Sequence, residues 1–427
     1  QNPTASAQAS LLASGLKVSS GQVEEPDCAK TDAPYGTPET QPAPLSAMWP
    51  PQPIYPRFVP SSSGEISRRD GMILITGATG FFGSHLVKAL LEQGAGPICC
   101  LVRGGKEALL DALTWYFGRG WAMQAIHCIH VATGDITLPN LGLSETDRRF
   151  LSGRTALIYH CAADVRHYTE SSILQRTNTE GTKNLIRLAL EEGAGLHYMS
   201  TASISGEYLA DAPDSSAVFT EHDFQIGQNW SENVYVKSKF LAEADIYRAM
   251  KQGLHAKVFR LGRLVGRDAD GVFQKNPDSN AFYLMLRAGI RLGALPLSLA
   301  DTGIDLTPVD ICAEAVVALS RSEATAYHLV SPQEISLRRI TESIAPQVMI
   351  LEDAVFSERL EAALRQDDRQ ILAPLVEFWN RARQKPVRIS VSAQKTHQAL
   401  KELGFIWPSP SPARLLSGFT HPFNEVN

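Results

Sequence analysis

The stretch MILITGATGFFGSHLVKALLEQGA (72–95) limits the fold more than any other. MILIT is a short apolar run of the kind a buried strand requires. Glycines at 77, 80 and 83 then make a turn, and an amphipathic helix pattern follows. A strand feeding a helix through so short a turn buries both apolar surfaces only if the helix packs back on a sheet. Bare glycine backbone also lets a pyrophosphate reach the N–H groups at the positive end of the helix. Alone, a GxxGxxG turn merely joins strand to helix, so its meaning depends on the rest of the chain.

The alternation repeats downstream. PICCLV, AIHCIHVATG, ALIYHCAA (156–163), GLHYMST (195–201) and AKVFRLG (256–262) read as further strands. KEALLDALTWYF and residues 181–192 and 232–250 read as helices between them. This predicts an α/β chain with a Rossmann-type doubly wound parallel sheet over residues 71–330, interrupted by substrate-lobe insertions near 205–230 and 270–300. Beyond about residue 270 helical runs dominate, at 279–292, 310–320, 337–344, 353–365 and 392–403. They predict a smaller, mainly helical C-terminal lobe at 331–427. Residues 1–70 hold 11 of the 25 prolines and little periodicity, so they read as an extended linker or arm. Trp49, Tyr55 and Phe58 are expected to pin its end to the folded body. The first residue is Gln, which suggests a processed chain or a segment of a longer one.

Composition removes some function classes. Forty basic and 45 acidic residues give a net charge of −5, which offers no global basic field for nucleic acid or anionic lipid. The six cysteines, Cys28, Cys99, Cys100, Cys128, Cys161 and Cys312, form no CxxC and no zinc-ligand spacing. Cys99 and Cys100 are adjacent on a predicted strand and point to opposite faces, so no bond between them is expected. A reduced, cytoplasmic setting follows. No apolar run approaches the ~18 residues that span a membrane. His127, His130, His160 and His167 fit no common metal spacing and are expected as core or surface residues, with no metal site.

The second predicted strand ends in CLVRGG. A carboxylate there would accept from ribose hydroxyls and repel a 2′-phosphate, whereas Arg103 does the opposite and favours NADPH over NADH. GDI (134–136) closes the third strand, where Asp135 can accept from the adenine amino group. HCAA (160–163) closes the fourth with small residues that let a dinucleotide lie close.

NVYVKSKF (233–240) poses a sharper question, because one tyrosine is followed by two lysines. On a helix, residues four apart share a face and residues two apart do not. Tyr235 and Lys239 therefore stand together, with Lys237 on the far flank. An ammonium beside a phenol is expected to lower its pKa from ~10, leaving it mostly protonated near neutral pH. The fifth strand delivers YMSTASISG (198–206) to the same sheet edge, with Thr201, or its neighbour Ser200, as the hydroxyl.

With those residues in order, the chain resembles the extended short-chain dehydrogenase/reductase superfamily, with Thr201, Tyr235 and Lys239 in the positions of its catalytic triad. HCAADVRHY, TNTEGTKNL (177–185), FTEHDFQIGQN (219–229), NVYVKSKFLAE and GVFQKNPDSNAFYLMLR (271–287) are similar to terminal thioester reductase domains of nonribosomal peptide and polyketide synthetases. The likeness covers about residues 72–427 and is most specific over 156–290. One departure lies in RGGKEALLDALTWYF, where a further basic residue is expected early in the helix, so the 2′-phosphate contact rests mainly on Arg103.

The resemblance implies NADPH as cofactor. Its contacts would come from Gly77, Thr79, Gly80, Phe81, Phe82 and Gly83 in the turn, then from Arg103, Asp135 and Ile136. Cys161, Ala162, Ala163 and Asn178 would line its middle, and Leu261, Gly262 and Leu264, with Tyr235 and Lys239, its nicotinamide end. It also implies a monomeric domain whose acyl or peptidyl substrate arrives as a thioester on the phosphopantetheine arm of a carrier protein. The C-terminal lobe would face that carrier, and the product would be an aldehyde, or an alcohol after a second reduction. Two alternatives share parts of this pattern. A nucleotide-sugar epimerase, a sterol or flavonoid reductase or a fatty acyl-CoA reductase would keep the triad, without the GQN…NVYVKSKF context or the proline-rich tether. A non-catalytic NADP sensor on the same fold would lose the Tyr or the Lys.

Overall fold

The computed structural model describes residues 71–165, 171–365, 369–384 and 388–420. The proline-rich arm, with Trp49, Tyr55 and Phe58, lies outside the described residues, as does His167.

Seven strands form one parallel sheet: β1 (Met72–Thr76), β2 (Ile98–Val102), β3 (Ile129–Thr133), β4 (Thr155–His160), β5 (Gly195–Thr201), β6 (Ala256–Leu261) and β7 (Ala326–Leu329). Their order is β7-β6-β5-β4-β1-β2-β3. All seven are short apolar runs because helices cover both faces. In β2 every residue is buried, and Cys99 and Cys100 join the cores on opposite sides of the sheet.

The main helices are α1 (Phe81–Glu92), α2 (Gly105–Phe117), α3 (Gly181–Glu192), α4 (Val234–Met250), α5 (Ala281–Leu292) and α6 (Val309–Leu319), then α7 (Arg369–Gln384) and α8 (Gln394–Glu402). Leu86 and Leu90 of α1, Leu109 and Leu113 of α2 and Val316 of α6 fill one face of the sheet. Leu185 of α3 and Phe240 and Ile246 of α4 fill the other. This is the doubly wound α/β arrangement.

A third core stands apart from the sheet. It gathers Val265 and Phe273, Met285 and Leu286 of α5, Leu337, Phe356, Leu375 and Trp379 of α7, and Leu415 and Phe419. This third core is therefore assembled from separated stretches of the chain. Ile389–Val391 pairs in parallel with Ala217–Phe219, and Leu400 of α8 packs into the sheet-side core. The chain crosses between sheet and lobe several times after β6. Among the described residues no helix is long and apolar enough to cross a membrane.

Parallel strands deliver their C-terminal ends to one edge. There Thr76 lies opposite His160 and Thr201 opposite Leu261. The site is built along that edge.

Candidate active site

The glycine turn follows β1 directly. Gly77 takes φ 72°, and a Cβ there would fall 2.5 Å from the Ala162 nitrogen, so only glycine lets β1 and the end of β4 meet so closely. A Cβ on Gly83 would come within 2.1 Å of the Gly77 carbonyl oxygen, which fixes how near α1 sits to the turn. Thr79 and Gly80 are exposed. The start of α1 has no side-chain cap and no acidic residue in its first turn. Its free N–H groups and positive dipole end suit a pyrophosphate. Phe81 and Phe82 serve packing: Phe82 is buried in the sheet core, and the Phe81 ring meets Phe273 of the lobe edge-on at 5.4 Å.

Arg103 is exposed just past β2. Lys106, in the first turn of α2, is exposed close by. It supplies a second cation near this edge, where the sequence pattern suggested that Arg103 stood almost alone. One Asp135 carboxylate oxygen accepts from the Thr137 N–H at 2.8 Å, and Ile136 is buried against Gly181. Cys161, Ala162 and Ala163 are half-buried along the edge after β4. Burial pushes the Cys161 thiol well up, so it is no nucleophile. His160 has both ring nitrogens engaged, Nδ1 with the Thr76 hydroxyl at 2.9 Å and Nε2 with the Thr182 hydroxyl at 3.0 Å. Burial lowers it to about 3, and it is a neutral core residue.

Asn178 lies in a π-helical turn, Gln175–Glu180, that runs into α3. Its amide donates to the Asp164 carbonyl and the Ser238 hydroxyl, each at 2.9 Å, and its oxygen accepts from the Asp164 N–H at 2.7 Å. The side chain thus ties the loop after β4 to α4 and has its bonds taken by protein. Such π-turns often mark functional sites, and residue spacing gave no warning of this one.

The start of α4 is fixed by a cap. The Asn233 side-chain oxygen accepts from the N–H groups of Tyr235 and Val236 at 2.9 and 3.1 Å, which sets Tyr235 in the first turn. One turn on, Lys239 is 2% exposed, whereas Lys237 points to solvent. The Lys239 ammonium donates to the Met199 carbonyl at 2.6 Å and lies 4.3 Å from the centre of the Tyr198 ring. Burial pulls it down to about 7, while Glu243 one further turn along the helix acts the other way.

The Tyr235 phenol is hydrogen-bonded to the Thr201 side chain. Burial pushes it up to about 12, with that bond opposing. The expected lowering by an ammonium is therefore corrected: desolvation of the phenol wins, and the Lys239 ammonium is bonded to the Met199 carbonyl. The phenol is neutral across the physiological range, as a proton donor must be. Ser200 turns away from Thr201 by strand alternation, and its hydroxyl donates instead to Glu243 Oε2 at 2.8 Å, further along α4. Thr201, Tyr235 and Lys239 come together, and Ser200 does not join them.

Behind this trio lies a buried ion pair that the sequence did not reveal. Arg260 of β6 and Glu243 are both fully buried, with Arg260 Nε donating to Glu243 Oε1 at 2.9 Å. Tyr247 bonds Glu243 at 3.1 Å, and Arg260 Nη1 donates to His328 Nε2 at 2.9 Å. His328 Nδ1 donates to the Ser392 carbonyl at 2.6 Å, so the network reaches the C-terminal segment.

Next to Arg260, at the C-terminal end of β6, Leu261 is buried beside Thr201, and beyond it Leu264 lies opposite Thr307 in a short parallel pairing. A Cβ on Gly262 would fall 2.1 Å from Asp305 Oδ2, so the glycine lets that carboxylate against the backbone. Among the described residues no cluster of three or more His, Cys, Asp or Glu is arranged to hold a metal.

Residues 75–316 match the family model described as "Male sterility protein". The chain is similar to a linear gramicidin synthase of Brevibacillus parabrevis, with 28% identity over 342 residues, covering 77% of this chain and 6% of that protein. It is 32% identical over 279 residues to isonitrile lipopeptide synthase of Streptomyces coeruleorubidus, covering 62% of this chain and 18% of that one. A solved thiolation-reductase di-domain from an archaeal nonribosomal peptide synthetase superposes with TM-score 0.72 at 28% identity, covering 83% of this chain and 76% of its own. The chain thus spans under a fifth of the length of those two curated relatives.

Proposed function

The chain belongs to the NAD-binding family described as male sterility protein, as an oxidoreductase of the synthetase reductase-domain type in the extended short-chain dehydrogenase/reductase superfamily, and from that premise we propose that it reductively releases a carrier-bound thioester. The substrate is an acyl or peptidyl thioester on a phosphopantetheine arm, held by a carrier protein of the same or a partner polypeptide in the cytoplasm. The observation that carries this reading is the neutral Tyr235 phenol bonded to Thr201 at the sheet edge, with buried Lys239 one turn behind it.

NADPH, when bound, supplies the hydride. The uncapped start of α1, with exposed Thr79 and Gly80, would hold its pyrophosphate, and Arg103 with Lys106 would grip the 2′-phosphate. Thr201 and Tyr235 donate to the thioester carbonyl oxygen and stabilise the charge that grows on it. Tyr235 then gives its proton to that oxygen. Lys239, one turn behind the tyrosine and bonded to the Met199 carbonyl, would offer its remaining N–H groups to the ribose. The resulting hemithioacetal loses thiol and leaves an aldehyde. One thioester, one NADPH and one proton would thus yield one aldehyde, one free thiol and NADP⁺, the proton restoring the Tyr235 phenol.

The lysine and cofactor assignments can be checked separately. Lys239→Ala is expected to weaken NADPH binding and slow turnover together, and Lys237→Ala to leave both near wild type; a sensitive Lys237 in titration and steady-state assays would refute the assignment. Arg103→Ala is expected to raise the Kd for NADPH at least about tenfold more than that for NADH, since only NADPH carries the phosphate. Equal losses would make Arg103 structural. The function itself is tested by loss of NADPH absorbance with an acyl-pantetheine thioester. Consumption is expected with the thioester and none with the matching free acid, whose carboxylate has no good leaving group.

A further inference from the structure

Arg263 sits two residues past Leu261, the residue opposite Thr201 in the sheet. Its backbone is locked: the N–H donates to Asp305 Oδ2 at 2.7 Å, and the carbonyl accepts from the Thr307 N–H at 3.0 Å. Its guanidinium reaches into the lobe and lies 4.6 Å from the centre of the Phe282 ring on α5. The side chain is half-buried, and its Nε is sealed from solvent without a hydrogen-bond partner.

The nearest acids do not neutralise it by contact. Asp305 uses its carboxylate on backbone and hydroxyl groups, accepting from the N–H of Arg263 at 2.7 Å, that of Ser331 at 2.8 Å and the Thr307 hydroxyl at 2.8 Å. Glu334 acts on Arg263 only as a nearby charge. A partly buried guanidinium with an orphaned donor is disfavoured unless something else satisfies it. The cofactor pyrophosphate is a poor candidate. The glycine turn follows β1, three strands from β6, which at ~4.8 Å per strand puts it about 14 Å away. On the thioester reading, the acyl chain is what would come to the lobe side of Thr201.

We propose that Arg263 is a specificity-determining residue that donates to an oxygen acceptor carried by the acyl chain close to the thioester. The inference rests on the thioester reading above. An amide carbonyl of a peptidyl chain and a side-chain carboxylate offer the same acceptor chemistry, and the Phe282 ring lies against the guanidinium in either case. Plain alkyl chains leave it unsatisfied. Hydrogen bonds to a charged donor discriminate by about tenfold or more.

Three pantetheine thioesters of matched length separate the outcomes: a plain alkyl chain, one with an amide carbonyl next to the thioester-bearing carbon, and one with a carboxylate there. Wild type is expected to prefer one or both oxygen-bearing chains by about tenfold or more in kcat/KM. The preferred one tells whether the acceptor is neutral or charged. Arg263→Met keeps an apolar surface against Phe282 but no donor, and is expected to bring that ratio close to one. Arg263→Lys is expected to restore part of it. A wild-type ratio near one overturns the proposal, as does an Arg263→Met variant that slows all three by the same factor and keeps the ratio. Turnover of the alkyl thioester with no preference would sink Arg263 alone, whereas no NADPH use on any thioester would sink the thioester reading itself.

Discussion

Tyr235→Phe is expected to lower turnover by about 10²–10⁴-fold while NADPH still binds with close to wild-type affinity. The change removes one hydroxyl and keeps the ring, so packing at the first turn of α4 is preserved and the Asn233 cap, made to backbone, is untouched. On the proposed mechanism, what goes is the proton donor and one of two groups aimed at the growing oxyanion. The phenol is suited to that task because burial lifts it to about 12, so it stays protonated at any working pH. Thr201→Val is the companion change: the same strand position is filled without the hydroxyl that bonds the phenol. Steady-state rates with cofactor binding measured separately by fluorescence check both. Loss of cofactor binding along with rate would mean that Tyr235 is structural.

Glu243→Ala is expected to destabilise the fold by about 3–5 kcal/mol, because it strands a fully buried arginine. Arg260 would still have His328 and Tyr247, neither of which carries a negative charge; burial holds His328 at about 3, hence neutral. The damage should reach the site, since Ser200 next to Thr201 also gives up its partner and Lys239 loses the carboxylate one turn away. Urea denaturation of Glu243→Ala, of Arg260→Met and of the double variant Glu243→Leu/Arg260→Met separates the causes. The double variant is expected to recover much of the loss, because apolar groups replace the pair instead of leaving half of it. A Glu243→Ala midpoint close to wild type would show that the pair is not sealed from water.

What could be read from the sequence was local. The strand–glycine turn–helix at 72–95 and the side-by-side placement of Tyr235 and Lys239 depend on periods of two and 3.6 residues, and the chain states those directly. The choice between Lys237 and Lys239, left to helix geometry alone, agrees with one being exposed and the other 2% exposed. What could not be read depends on distant segments. Glu243 meets Arg260 from 17 residues away and His328 joins from 68 further on, so nothing in VYVKSKFLAE marks the glutamate as buried except its place one turn beyond Lys239. The lobe escaped for the same reason: its core draws on residues near 270, 340, 375 and 415, while β7 and α8 between them return to the sheet. The direction of the Tyr235 shift is hidden too, because desolvation depends on what finally covers the ring, whereas a neighbouring charge is visible in YxxxK.

The measurement that bears most directly on the account is mass spectrometry of what leaves a carrier protein loaded with an acyl or peptidyl thioester. The protein and NADPH would be added together, with Tyr235→Phe as the control. The account predicts a released aldehyde, or its alcohol after a second turnover, together with a carrier bearing the free pantetheine thiol and at least one NADPH oxidised per chain. A carrier that stays loaded with NADPH unspent, or that releases only the free acid, would contradict it, and brisk turnover of a nucleotide sugar in the same preparation would assign the site to an epimerase instead.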